Sequence, residues 1–234
     1  MHSCRYLCAL ILALAPSLAL AHHGQDFLIL ESPSVPHPGD AYLLANAEAA
    51  LGDPEGQGSF EPALLIGITP RVAFELHAHT EKLAGENWNY EATAPGVHVL
   101  LTDPAKHDGL KIGIGAEYEF AAKQGAPDNA EVRLSFEKGN AATKWGANLI
   151  ASREQGGSND FGAALGFRHE VCAGLALGAE AQSSFQRAAG SELLISAYTE
   201  REAWAFKFGI GGQREEDGHI TPIARVGLVL RLKD

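Results

Sequence analysis

Hydrophobic and polar residues alternate with a period of two along most of this chain. In residues 110–120 every second residue is apolar, and the residues between them are Lys, Gly or Glu. Similar alternation recurs in residues 71–80, 130–137, 161–168, 203–210 and 224–232. A period of two is that of a β-strand with one apolar and one polar face, and no stretch has a convincing helical period. The pattern therefore predicts an all-β protein.

Two β architectures share this alternation. A soluble antiparallel sheet packs its apolar face on a core, whereas a membrane barrel turns its apolar face to lipid and its polar face to a lumen. The alternating segments run for about ten residues, the length of a strand that crosses a bilayer at a tilt, while soluble strands average about five to six. The polar face is also rich in Gly, Ser and charges of both signs, which suits a crowded lumen. These features favour the membrane barrel.

The turns between the segments give the number and direction of the strands. Counting the segments gives about twelve strands, and bacterial single-chain barrels have even numbers. Short connections alternate with longer, more polar ones, although residues 102–109 form a long connection on the short side. The sequence thus predicts an antiparallel up-and-down transmembrane β-barrel of about twelve strands over residues 41–234, with both termini on the periplasmic side. Its strands are expected to begin near Ala41, Phe60, Arg71, Trp88, Leu110, Ala130, Ala142, Asn159, Ala173, Ser191, Ala203 and His219.

The N-terminus has the composition of a cleaved secretory signal peptide. Arg5 precedes an apolar run over residues 7–14, and the stretch ends in Ala19-Leu20-Ala21. This is the order of the positive, apolar and small-residue parts of a signal peptide, and the apolar run is too short to span a bilayer. We therefore expect residues 1–21 to be removed and the protein to be exported.

Residues 22–40 form an irregular lead-in to the barrel. Pro33, Pro36, Pro38 and Gly39 prevent a regular helix or a central strand there. One hypothesis for this segment is that it plugs or gates the lumen from the periplasmic side. Cys172 is the one cysteine after the signal peptide, so the exported chain forms no intrachain disulfide.

The charge of the chain bears on its partners. The formal net charge is −11, and the Lys and Arg residues are scattered singly. Nucleic-acid binding needs clustered basic residues that contact phosphates, so no nucleic-acid partner is expected. The expected partners are outer-membrane lipid and small solutes.

The combination of these features, from about residue 41 to 232, resembles the uncharacterised bacterial outer-membrane β-barrel families that are loosely called porin-like or transport barrels. The resemblance implies a location in the bacterial cell outer membrane. It also implies that small solutes are bound or passed.

Polar residues of the predicted lumen include a group of imidazoles and carboxylates. Glu75, His77 and His79 share one face of a strand, and Glu117 and Glu119 lie two strands later. Such a group would suit a cation site or a cation-preferring passage, and the alternative is a lumen filled with paired charges. The polar residues expected to face the lumen are Glu75, His77, His79, Lys111, Glu117, Glu119, Glu131, Arg133, Arg168, Lys207 and Arg225.

The mature N-terminus offers a second kind of candidate site. Cleavage after Ala21 would leave His22 and His23 at the start of the chain, with His37 as a further donor. A free α-amino group and an imidazole can chelate copper or zinc, whereas histidines beside a cleavage site can equally be exposed and idle. No other cofactor is expected.

No catalytic residue is predicted. Several Ser residues are present, but the G-x-S-x-G motif of a nucleophile elbow does not occur. The function that the sequence favours is passive transport or binding of small solutes through a polar lumen, with cations as the candidate class. The alternatives are a non-conducting structural or adhesive barrel and a soluble periplasmic metal-binding β protein.

Overall fold

The structure, a computed structural model, describes residues 26–52, 56–102, 106, 109–140, 142–186, 191–215 and 218–232. The described residues contain no helix that is long and apolar enough to cross a membrane. They form twelve β-strands, which are β1 Ala41–Ala50, β2 Gly58–Thr69, β3 Val72–Lys82, β4 Asn89–Leu100, β5 Lys111–Ala121, β6 Asn129–Gly139, β7 Thr143–Glu154, β8 Asn159–Cys172, β9 Leu175–Ser184, β10 Ser191–Glu200, β11 Trp204–Arg214 and β12 Ile220–Arg231.

The twelve strands close into one antiparallel up-and-down barrel. Each strand pairs with the next along the chain, and β1 pairs with β12 from Tyr42 opposite Arg231 to Ala50 opposite Ile223. The predicted fold class is therefore confirmed. Every strand begins within two residues of its predicted start, because the alternation itself marks where a strand can pair with its neighbours.

The two ends of the barrel differ in their connections. At one end, the turn end, strands are joined through residues 70–71, 140–142, 173–174 and 201–203, and through the longer 101–110. At the other, the loop end, the connections are residues 51–57, 83–88, 122–128, 155–158, 185–190 and 215–219. The first strand begins and the last strand ends at the turn end, so the barrel wall starts and finishes there. In outer-membrane barrels the short turns face the periplasm.

Apolar side chains cover the outside of the barrel. On β11, Trp204, Phe206, Phe208 and Ile210 point outward in succession, and on β10 Ile195 is 69% exposed. A soluble monomer rarely exposes a contiguous apolar surface of this extent. The apolar outer surface is therefore typical of a barrel that contacts lipid on its outside.

Placing a charge on the outer face should destabilise the barrel. Ile195 lies near the middle of β10, and Ile195→Arg would put a guanidinium in the hydrocarbon layer at a cost of about 2–4 kcal/mol. The matched control is Leu83→Arg, because Leu83 is exposed just beyond the loop end of β3. The free energy of unfolding in lipid vesicles, measured by urea titration, should fall for the first variant only. Equal, small effects would indicate a water-exposed outer face.

Candidate functional site in the barrel lumen

Residues 26–40, here called the inner segment, enter the barrel: residues 26–36 lie inside it, and the exposed His37, Pro38 and Gly39 turn at the turn end toward β1. Phe27 and Leu30 are buried and pack against Leu194 and Tyr198 of the wall, and the rings of Phe27 and Tyr198 meet edge to face at 6.3 Å. Closer to the turn end, Val35 packs against a second apolar cluster of wall residues. The lead-in proposed as a plug therefore occupies the lumen from residue 26 onward, whereas residues 22–25 lie outside the described residues.

An ion-pair cluster holds the beginning of the inner segment. The carboxylate of Asp26 lies 2.7 Å from Nζ of Lys144 and 3.1 Å from a guanidinium nitrogen of Arg168. Arg168 also contacts Glu200. Burial acts to raise the pKa of Asp26, but the charges of Lys144 and Arg168 outweigh it and hold that pKa well below its usual range. The two basic side chains therefore favour the ionised form of Asp26.

Glu180 binds the backbone of the inner segment. Its carboxylate accepts hydrogen bonds from the backbone N–H of Leu28, at 3.0 Å, and of Ile29, at 2.7 Å, and the hydroxyl of Tyr198 donates a further one. Two strands away along the same wall, Nζ of Lys207 on β11 donates to the carbonyl oxygen of Phe27 at 2.6 Å. A buried backbone without sheet partners is costly, so these side chains replace the hydrogen bonds that a strand would have made.

Further contacts tie the segment to β4, β5 and β7. The side-chain amide of Asn148 binds both the N–H and the carbonyl of Glu31, each at 2.9 Å. The Glu31 carboxylate lies 3.0 Å from Nδ1 of His98. Nζ of Lys111 donates to Ser34 at 2.7 Å, and it forms an ion pair with Glu137 at 3.0 Å. Hydrogen bonds and ion pairs to the barrel wall thus hold the inner segment in place.

Glycines on the lumen face of the wall make room for this segment. A Cβ atom at Gly146 would lie 2.9 Å from a ring carbon of Phe27, and one at Gly166 would lie 2.8 Å from a methyl carbon of Leu30. A Cβ at Gly113 would meet Pro33 at 2.9 Å. These glycines, which in the sequence are only small residues at alternate strand positions, are therefore where the wall contacts the inner segment.

A cavity of about 330 Å³ lies on the loop side of the inner segment. Its floor is formed by residues 28–31, and its walls come from strands on both sides of the barrel. The charged and titratable lining consists of seven carboxylates, three histidines and two arginines, namely Glu31, Glu48, Glu61, Glu75, Glu117, Glu119, Glu131, His77, His79, His98, Arg133 and Arg225. Carboxylates exceed arginines, so the cavity is acidic.

A network of imidazoles and carboxylates covers one wall of the cavity. Glu75 is buried and its two carboxylate oxygens reach His77 Nε2, at 3.1 Å, and His98 Nε2, at 2.5 Å. His77 Nε2 also lies 3.3 Å from Glu117. The side chains of β3 and β5 meet because the lumen-facing residues of the strand between them, Ala92, Ala94 and Gly96, are small.

Comparison with known proteins identifies the fold. Scanning the sequence against protein-family models and searching the curated proteins give no match. Among solved structures, the KdgM porin has 7% sequence identity and a TM-score of 0.60, with 82% of this chain and 99% of that chain covered. An outer membrane channel from Pseudomonas putida F1 has 11% identity and a TM-score of 0.60, with 86% and 98% covered. The NanC porin has 11% identity and a TM-score of 0.57, with 81% and 100% covered.

The fold is that of the outer-membrane porins. The chain is therefore a porin-like barrel in its fold, and its apolar outer face is the kind of surface that such barrels turn to lipid. Identities this low establish a shared fold and leave the function to the residues of the lumen.

Within this porin-like barrel, the residues expected to face the lumen fall into two groups. Lys111, Arg168 and Lys207 contact the inner segment or its anchoring residues. The others line the cavity, and they are Glu75, His77, His79, Glu117, Glu119, Glu131, Arg133 and Arg225. Arg225 is paired with Glu48 at 2.6 Å and with Glu192 at 2.9 Å, and Arg133 is paired with Glu131 at 2.6 Å.

Several residues of the site were not identified from the sequence. Glu31 lies in the irregular lead-in, where no period assigns a side chain to a face. Glu61 lies in β2, whose lumen face also carries the apolar Ala63 and Leu65, and Glu180 lies in β9, where its neighbours on the outer face are the small Ala179 and Ala181. A less strict requirement for alternating apolar and polar residues would have placed Glu61 and Glu180 on the lumen face.

The histidines expected to bind copper or zinc at the N-terminus are not part of this cavity as far as the structure describes them. His37 is exposed near the turn end, and its carbonyl oxygen accepts a hydrogen bond from the N–H of Asp40 at 3.0 Å. His22 and His23 lie outside the described residues, so metal binding by the mature N-terminus stays a prediction.

Proposed function

We propose that this barrel binds small cationic solutes in its acidic cavity and passes them across the outer membrane when the inner segment is displaced. The observation that carries the proposal is the excess of seven carboxylates over two arginines around the cavity. Carboxylates that line a narrow cleft between low-dielectric walls raise the local concentration of cations.

The distribution of charge along the lumen supports this proposal. Near the turn end, Asp26 is offset by Lys144 and Arg168, and Glu137 by Lys111. Lys207 is engaged by the inner segment as well. On the loop side the carboxylates outnumber the basic side chains that pair with them, and this is the side from which a solute outside the cell would enter first. A solute that reaches the floor of the cavity would meet Glu31 of the inner segment.

The solute class that the charges favour differs from the one reported for a similar fold. A structure of the KdgM porin is described as a complex with oligogalacturonate. A ligand that carries carboxylates would be repelled by the carboxylates of this cavity. We therefore infer a cationic or neutral small solute for this barrel.

A second candidate function is a barrel that binds solutes without conducting them. The observation that favours it is the inner segment, which is attached through Asp26, Glu31 and backbone hydrogen bonds to Glu180. A small barrel commonly fills its interior with side chains. This candidate differs from the first one only in whether the segment moves.

Ion selectivity tests the proposal. The reversal potential of the purified barrel in a planar bilayer, measured under a KCl gradient, is expected to show a preference for K⁺ over Cl⁻. Replacing Glu117 and Glu119 with Gln should reduce this preference, because it removes two lumen carboxylates. The matched control is Glu154→Gln, which removes an exposed carboxylate at the loop end of β7. A wild-type barrel that prefers Cl⁻ would contradict the proposal.

A further inference from the structure

We propose that His79, Glu117 and Glu119 form a binding site for a divalent transition-metal ion, with Zn²⁺ as its probe. The inference rests on the proposed function, because it names the class of cation that the acidic cavity binds. It uses none of the histidines expected to bind copper or zinc near the mature N-terminus, which are His22, His23 and His37.

The geometry of the three side chains suits a metal ion after a small contraction. One ligand atom from each of His79, Glu117 and Glu119 lies within 4.8 Å of the others. Ligands at about 2.0–2.2 Å from a tetrahedral Zn²⁺ lie about 3.5 Å from one another. The site must therefore close by about 1 Å, a movement that rotation of the long Glu side chains can supply.

The state of His79 is an independent observation that points to a ligand. Its Nε2 atom is buried from solvent and has no hydrogen-bond partner among the described residues. A buried nitrogen without a partner is unusual, because nearly all such atoms are hydrogen-bonded. A metal ion would take up the free lone pair.

The surroundings of His79 favour the required tautomer. Glu61 Oε1 lies 3.8 Å from the other ring nitrogen, Nδ1, which is within ion-pair distance. Metal-bound histidines commonly direct their second nitrogen at a carboxylate, which holds a proton there and leaves the first nitrogen free to bind. His77 differs from His79 in this respect, because its Nε2 is already engaged by Glu75 and Glu117.

The donor set selects the type of metal. One imidazole and two carboxylates are typical ligands of Zn²⁺ and neighbouring first-row ions. Ca²⁺ takes six to eight oxygen ligands and Mg²⁺ keeps an octahedral oxygen shell, so an imidazole disfavours both. The cavity beside the three ligands leaves space for water to complete the coordination shell.

Binding of Zn²⁺ to the full mature chain in detergent, measured by competition with a chromophoric chelator, tests the proposal. His79→Ala should weaken binding by more than about 10-fold, because loss of a ligand exceeds the loss of a second-shell residue. Glu119→Gln should act in the same direction, and it serves as the second variant if His79→Ala fails to fold. The control is His169→Ala, which removes an exposed histidine that faces outward beside Thr143.

A variant with His22→Ala and His23→Ala separates this site from the mature N-terminus. Loss of Zn²⁺ binding in that variant, with unchanged binding in His79→Ala, would overturn the proposal. Absence of Zn²⁺ binding by the wild-type barrel would overturn it as well. The proposed function would not be affected by that result if the reversal potential shows a preference for K⁺. Zn²⁺ binding by a barrel that prefers Cl⁻ would contradict the proposed function and leave this site in place.

Discussion

Replacing both Gly146 and Gly166 with valine is expected to raise the single-channel conductance of the barrel severalfold. A Cβ atom at these positions would lie 2.9 Å and 2.8 Å from side-chain carbons of Phe27 and Leu30, respectively. The two valines therefore fill the space that the inner segment occupies, while valine suits a β-strand well. Displacement of the segment would open the lumen without removing any part of the chain.

The matched control for the double variant is Gly96→Val. A Cβ atom at Gly96 would lie 3.5 Å from its nearest neighbour, an ordinary contact, and the residue faces the cavity rather than the inner segment. Conductance in planar bilayers should stay at or below the wild-type value for this control. Deletion of residues 22–40 should change conductance in the same direction as the double variant. A correctly folded double variant with wild-type conductance would show that the segment does not obstruct the lumen.

Removing the carboxylate of Glu180 is expected to loosen the inner segment. Glu180 is 1% exposed and accepts hydrogen bonds from the backbone of Leu28 and Ile29. Glu180→Ala leaves these buried donors without partners, at about 1–3 kcal/mol for each. A loss of about 3 kcal/mol corresponds to an increase of about 10²-fold in the amide exchange rate of the segment. Hydrogen–deuterium exchange of the peptide that contains residues 26–40 measures this change.

Two further variants make the exchange experiment specific to Glu180. Glu180→Gln keeps an acceptor oxygen, so its exchange rate should lie between those of the wild type and Glu180→Ala. Glu154→Ala removes an exposed carboxylate from β7 and should leave exchange unchanged. Unchanged exchange in Glu180→Ala would mean that the segment is held by its other contacts, such as the ion pairs of Asp26.

The barrel wall was predictable from the sequence because each strand carries its own signal. In β5, the outward Ile112, Ile114 and Phe120 alternate with lumen-facing Lys111 and Glu117, and one slip in register would exchange the two faces. Up-and-down order then places each strand beside the next, so that the side chains of β3 and β5 can approach one another over β4. The alternation of faces within each strand and the up-and-down strand order together predict that His79 lies near Glu117 and Glu119.

The path of the inner segment could not be predicted, because it has no repeating pattern. Its course depends on isolated long-range contacts, such as Asp26 with Lys144 and Leu28 with Glu180, which join residues more than 100 positions apart. Nothing in the sequence indicates that the glycines of the wall contact the inner segment. Proline content alone indicated that the segment is irregular, and the structure was needed to place it inside the lumen.

The measurement that tests the central claim most directly is the migration of the protein in detergent gels before and after boiling, with material from the outer-membrane fraction. A closed barrel resists unfolding by detergent at room temperature, because every strand is paired on both sides. The account predicts that the protein sediments with the outer membrane and that its band shifts on boiling. A soluble periplasmic protein whose band does not shift would contradict it.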